Sequence, residues 1–196
     1  WATETRIDHP WLLALLPRIE AELGHEIEVV VSDRRPNSRA FERLAALSGG
    51  RIRAAPAPVD VLDLPEPGEG VRTLFDALHH FEPEQVRSIL AGAARANAPL
   101  ALFDGAQRSL PMVAGSVSIP LLVWGLTPWI RPLRWGRFVW TYAIPVAPLL
   151  IAWDGFVSHL RAHTATELEG LCSGVEAAPG YRFEVGELPF GPGVIT

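Results

Sequence analysis

Lysine is absent from this 196-residue chain, and all 17 of its basic residues are arginine. Set against 22 acids they leave a net charge of −5. That balance gives no general attraction to nucleic acid, although a local arginine patch can still hold an anion. Cysteine occurs once, at Cys172, which excludes an intramolecular disulfide and fits a reducing, cytoplasmic compartment. No internal repeat is present. Glu4, Arg6, Asp8 and His9 deny Trp1–Pro10 the apolar core of a secretory leader. The chain opens at Trp1 without a methionine and stops at Gly193-Val194-Ile195-Thr196, which reads like a strand just beginning. Both ends therefore read as trimmed.

What is there fits one domain, since a chain of this length can bury a substantial core. Pro10 to Leu23 reads as a helix, with Trp11, Leu12, Leu15, Leu16, Ile19 and Leu23 at helical spacing and Gly24 as a left-handed stop. Glu26 to Ser32 reads as a strand around Val29-Val30-Val31. Asn37 caps a second helix that Gly49-Gly50 ends, and Arg51 to Ala55 is a short strand. Val71 to Phe75 is a further strand, and Pro83-Glu84-Gln85 opens a helix to about Ala96. Leu100 to Phe103 is strand, Thr164-Ala165-Thr166-Glu167 is a capping box, and Tyr181 to Leu188 closes as a strand. Strands alternating with helices predict an α/β fold with a largely parallel sheet in three layers.

One region breaks the alternation. Val113 to Ile130 and Phe138 to Trp153 carry no charge, and Arg131, Arg134 and Arg137 lie between them. Prolines interrupt both runs, and Trp124, Trp129, Trp135, Trp140 and Trp153 add rings that favour a membrane interface. Residues 109–157 therefore form an apolar helical insertion. It reads as a cap over a pocket, as a hairpin dipping into a bilayer through 113–153, or as a pair of spanning helices. The three arginines either touch lipid phosphate or solvate a turn.

The chemistry gathers at strand ends, where ligands of open α/β sheets bind. Asp33 is placed to accept from the vicinal hydroxyls of a ribose, or else serves a turn or helix cap. Asp60 with Val61 fits an adenine, the carboxylate taking the exocyclic amine and the valine covering the ring. Asp60 is otherwise a solvated loop acid, and Asp63 is a rival for the role. His79 and His80 follow a strand end, where one of them can act as a general base, or one ring packs and the other stays solvated. Asp104 is a second base candidate. His159 and His163 lack a third ligand at sensible spacing, so no metal site is expected. Inert packing suits Cys172.

Val-Ser-Asp at 31–33, Val-Asp-Val-Leu-Asp-Leu-Pro at 59–65, and Thr-Leu-Phe-Asp-Ala-Leu-His-His-Phe at 73–81 resemble class I S-adenosylmethionine-dependent methyltransferases. Thr164-Ala-Thr-Glu-Leu through Tyr181 is similar to that family's last helix and strand. The resemblance covers most of Glu26–Phe103 and Asp154–Thr196. It implies a Rossmann-like three-layer sandwich with S-adenosylmethionine as cofactor. Asp33 would then bind the ribose, Asp60 and Val61 would flank the adenine, and Phe75, Asp76 and Ala77 would lie near the methionine part. The family's glycine-rich loop has no counterpart at Thr3–His9, which holds no glycine, through truncation or through loss.

The expected activity is methyl transfer to a hydrophobic small-molecule acceptor, in a cytoplasmic protein with a peripheral membrane contact. Two rivals stay open: a non-catalytic, membrane-associated relative of such enzymes, and an NAD-dependent oxidoreductase. The oligomeric state is not legible.

Overall fold

The computed structural model describes residues 10–63 and 70–187. Thr3–His9 and residues 188–196 lie outside the described residues. The chain divides into two compact units, Trp1–Glu66 and Pro67–Thr196.

The first unit holds helix α1 (Pro10–Leu23), strand β1 (Val29–Val31), helix α2 (Ser38–Leu47) and strand β2 (Ile52–Ala54). Helix α1 stops where Gly24 turns left-handed at φ +75° and returns its N–H to the Glu20 carbonyl at 2.8 Å. Asn37 begins α2 by accepting the Ala40 N–H on its side-chain oxygen at 3.2 Å. The strands pair in parallel, with Val29 opposite Ile52 and Val31 opposite Ala54. Thus β1–α2–β2 is a crossover unit closed over Leu16, Leu44 and Ile52. Glu20 clamps it by accepting the Ile27 N–H at 3.1 Å and pairing with Arg51 at 2.7 Å.

The second unit repeats the scheme. Strand β3 (Arg72–Phe75) leads through a 3-10 turn (Leu78–His80) into helix α3 (Pro83–Arg95) and strand β4 (Leu100–Phe103). β3 and β4 are parallel, with Arg72 opposite Leu100 and Phe75 opposite Phe103. A core of Leu78, Val86, Leu90, Leu102, Leu168 and Leu171 fills the space between this unit and helix α8 (Ala165–Ser173). Each such side chain contributes about 1.5–3 kcal/mol when fully buried. Between β4 and α8 runs a helical hairpin. Its first leg is α4 (Leu110–Gly115), a 3-10 turn, α5 (Ile119–Leu126) and the turn Thr127–Trp129. Its second leg is α6 (Trp135–Phe138), a π-helical turn (Val139–Ala143) and α7 (Val146–Arg161). Helix α7 packs on α5 and on the 3-10 turn at Leu78–His80.

The three-layer Rossmann-like sandwich does not form. Helix makes up 54% of the structure, and the described strands pair only two by two, in two separate sheets. Burial explains the difference. A central strand of a three-layer sheet is covered on both faces, whereas β1 leaves Val30 exposed and β3 leaves Thr73 and Phe75 exposed. The apolar runs that follow β4 coil into helices and add no strand to either pair. Tyr181–Gly186 is likewise not strand, and Glu187 makes only an isolated bridge. The segment runs irregularly along the core, with the Tyr181 hydroxyl donating to the Ala98 carbonyl at 3.0 Å.

Candidate functional site

The clearest polar cluster lies at the carboxyl ends of β3 and β4. Their register puts Phe75 beside Phe103, with the rings stacked 5.0 Å apart, so the next residues, Asp76 and Asp104, emerge side by side. Asp76 donates its N–H to the Phe103 carbonyl at 2.7 Å and then turns left-handed at φ +50°. That conformation is uncommon for a residue with a side chain, although Asp tolerates it better than most. The turn ends the strand and lets the Asp76 Oδ1 accept the Gly105 N–H at 3.1 Å. A Cβ on Gly105 would stand 2.8 Å from that oxygen, so any larger residue here makes the Asp76 carboxylate shift.

His79 and Asp104 are buried, at 5% and 6% exposure. Asp104 Oδ2 accepts the His79 backbone N–H at 2.7 Å, and Oδ1 lies 2.8 Å from His79 Nδ1. A third bond arrives from the Ala106 N–H at 3.0 Å. The carboxylate is thus satisfied while Nδ1 is committed to it, and His79 Nε2 makes no hydrogen bond among the described residues. Buried ring nitrogens are mostly hydrogen-bonded, so Nε2 is the atom of this pair open to a further partner.

The Asp104 hydrogen bond raises the His79 pKa above its ordinary value. Burial opposes the rise, and the charges of Asp104, Asp76 and Asp154 add to it. For Asp104, burial pushes the carboxyl up, but its bonds from His79 and Ala106 outweigh that and hold it below its usual value. The pair is therefore biased toward imidazolium and carboxylate. His80 differs. Its ring lies 4.2 Å from that of His79, and desolvation, followed by the His79 charge, lowers its pKa. Its carbonyl accepts Arg161 at 3.4 Å, so His80 belongs to the wall next to the pair.

Asp76, His79 and Asp104 bring three ligating atoms within 4.8 Å of one another, a grouping able to hold a cation. The Nδ1–Asp104 bond leaves Nε2 as the ring atom able to take a proton or meet a cation. A cavity of about 320 Å³ adjoins the 3-10 turn, lined by Phe81, Glu82, Arg108, Arg161, His163 and Glu167. Arg161–Glu82 and Arg108–Glu167 ion pairs cross it.

In the first unit the structure brings Asp33 and Asp60 to one end of the β1–β2 pair. The Val59 N–H donates to the Asp33 carbonyl at 3.0 Å, and Arg34, next to Asp33, pairs with Asp60 at 3.3 Å. Asp33 Oδ1 accepts the Arg35 N–H at 2.6 Å, a local turn, and Oδ2 makes no hydrogen bond among the described residues. Asp60 Oδ1 accepts the Leu62 N–H at 3.0 Å, and Val61 is half-buried beside it. Phe75, Asp76 and Ala77 belong to the second unit and lead directly into His79. His159, in contrast, accepts the Gln107 N–H on Nδ1 at 3.2 Å, and His163 lies 3.1 Å from the Phe81 carbonyl. Both are tied to backbone.

Sequence reasoning named Asp104 only as an alternative base and missed its role as the partner of His79. Aligning the two parallel strands by their phenylalanines would have found it. No family model matches the chain, and no curated protein or solved structure is similar to it.

Proposed function

We propose that this chain transfers a methyl group from S-adenosylmethionine to a hydroxyl or amine of an apolar small molecule, with His79 as the general base. The observation that carries the reading is the buried His79–Asp104 pair at the carboxyl ends of two parallel strands, with Nε2 left free. When bound, S-adenosylmethionine supplies an electrophilic methyl on sulfur and departs as S-adenosylhomocysteine. His79 Nε2 takes the proton that the acceptor releases as its oxygen or nitrogen bonds to the methyl carbon. Asp104 fixes the ring through Nδ1 and the backbone, and its charge stabilises the imidazolium that forms.

Within the first unit, taken by itself, Asp33 and Asp60 fit a cofactor role in part. Asp33 keeps one carboxylate oxygen for a ribose hydroxyl. Asp60 is free for an adenine amine only if the Arg34 pair opens, and that pair is exposed and weak. The apolar hairpin, packed against the 3-10 turn that carries His79, supports an apolar acceptor. The same commitments of Asp33 and Asp60 favour a second reading, a non-catalytic module that kept the polypeptide framework without the cofactor.

Calorimetric titration of the full chain with S-adenosylhomocysteine and, separately, with NAD decides between them. Binding of the first alone, weakened in Asp33→Ala, is expected. Binding of NAD alone would make the chain an oxidoreductase, and binding of neither would leave the non-catalytic module. Replacing His79 by Gln should lower the rate by about 10²–10⁴-fold while leaving S-adenosylhomocysteine binding intact.

A further inference from the structure

The hairpin between β4 and α8 is built inside out. Its buried residues are three hydroxyl-bearing side chains and one proline: Thr141 is 1% exposed and Thr127 2%, and Ser116 and Pro148 are buried with them. Thr127 Oγ1 donates to the Val123 carbonyl at 2.6 Å and Ser116 Oγ to the Met112 carbonyl at 3.2 Å, so these hydroxyls are satisfied within their own helices. Trp124 Nε1 donates to the Thr141 carbonyl at 2.9 Å, tying the legs together. The legs approach closely where a Cβ on Gly155 would stand 2.7 Å from Ile119 Cδ1. Meanwhile Trp129 is 80% and Trp135 87% exposed, and Leu110, Val117, Leu121 and Leu149 also face outward.

In water this arrangement forfeits the burial that drives folding. An exposed apolar surface of this extent marks an interaction site. Small and hydroxyl-bearing residues between helices, with apolar residues outside, are what a hydrocarbon solvent selects. The first leg, Leu110–Trp129, has 20 residues, long and apolar enough by length and composition to cross a membrane. The second leg passes the same test only as two helices bent by 75°.

Charge identifies the occupant. Residues 105–153 carry four arginines and no acid, in a chain whose net charge is −5. Three of them, Arg131, Arg134 and Arg137, sit at the hairpin's tip between Trp129 and Trp135. Arg137 donates to the Ile130 carbonyl at 2.8 Å and so holds the tip turn. Arg131 and Arg134 are exposed and have no partner among the described residues. Tryptophan beside arginine is the composition of the headgroup level of a bilayer.

We infer that the hairpin Leu110–Trp153 embeds in the apolar layer of a lipid bilayer, with Arg131 and Arg134 on anionic headgroup phosphates. The inference is independent of the methyl-transfer reading, because it needs neither the dyad nor a cofactor.

The test uses the full chain and vesicles of equal parts phosphatidylcholine and phosphatidylglycerol, with and without brominated acyl chains. The protein is expected to sediment with the vesicles and stay bound in high salt. Brominated lipid should quench its tryptophan emission, and Trp129→Phe with Trp135→Phe should remove part of that quenching and leave the share of Trp124, Trp140 and Trp153. Arg131→Gln with Arg134→Gln should weaken partitioning into the anionic vesicles roughly thirtyfold, with unchanged circular dichroism. Failure to sediment overturns the inference, and so does binding without quenching. A soluble oligomer that buries Trp129 and Trp135 against a second copy and ignores vesicles overturns it as well.

Discussion

Asp104 grips His79 twice, through the backbone N–H at 2.7 Å and through Nδ1 at 2.8 Å. The two bonds come from one carboxylate at the end of β4 and fix both the position and the tautomer of a ring on the turn after β3. The second bond satisfies a buried ring nitrogen, and it also supplies the charge that balances a proton gained on Nε2.

Replacing Asp104 by Asn tests that relationship directly. The amide keeps the size but loses the charge, and it cannot accept on both sides. Breaking a buried pair from one side costs about 3–5 kcal/mol, readable as a lower urea midpoint. The His79 titration, followed by the ring proton resonances in NMR, should move to lower pH. A midpoint that stays in place would mean that Asp104 does not set the His79 charge.

Stability and activity should depend on pH with opposite signs. The His79 pKa is raised on folding. Its contribution is therefore complete below the unfolded value of about 6.5 and is lost as pH rises through the folded value. The Asp104 pKa is lowered. Its contribution is complete above the unfolded value of about 3.9 and is lost as pH falls through the folded value. Urea midpoints should thus form a plateau between those limits, with an alkaline limb that His79→Gln removes. A general base must be neutral, so methyl transfer should rise across the same alkaline limb. Parallel rise of rate and stability would exclude His79 as the base.

Local elements were legible in the sequence wherever a single residue carries the signal. Asn37, Pro83, Thr164 with Glu167, and the glycines at 24, 49 and 50 set the helix boundaries by their own backbone chemistry. The sheet was not legible. Val29-Val30-Val31 and Leu100–Phe103 are apolar in the manner of strands buried on both faces, but such a run looks the same when one face stays open. Nor could the pairing be read, because it depends on what packs between strands. The candidate site was half legible. His79 and Asp104 were each visible at a strand end, whereas their partnership rests on the β3–β4 register, legible only once Phe75 is aligned with Phe103. The insertion's apolar content was plain, and its inverted burial was not.

The cap of α8 offers a local test of core stability. Thr164 Oγ1 accepts the Glu167 N–H at 3.3 Å, and the Glu167 carboxylate answers by accepting the Thr164 N–H at 2.9 Å. Arg108 bonds the same carboxylate and holds its pKa at about 2. Leu168 and Leu171 of this helix close the second unit's core, so fraying of its first turn reaches them. Thr164→Ala should cost about 1 kcal/mol in chemical denaturation. The His79 midpoint should not change, because neither Thr164 nor Glu167 touches the dyad.

Gly105→Ala separates the roles of the two acids beside His79. The new Cβ would meet Asp76 Oδ1 at 2.8 Å, and the carboxylate must swing away from the Gly105 N–H to relieve it. One hydrogen bond is lost, worth about 1 kcal/mol, while the Asp104 grip on His79 is untouched. Asp76 raises the His79 pKa by charge alone, and less than Asp104 does. The His79 midpoint should therefore fall in Gly105→Ala, but by less than in Asp104→Asn. Asp76→Asn, which removes the charge without the clash, should reproduce the fall. If Gly105→Ala lowered the midpoint as far as Asp104→Asn, the alanine would have disturbed β4 itself, and the two strand ends would act as one rigid piece.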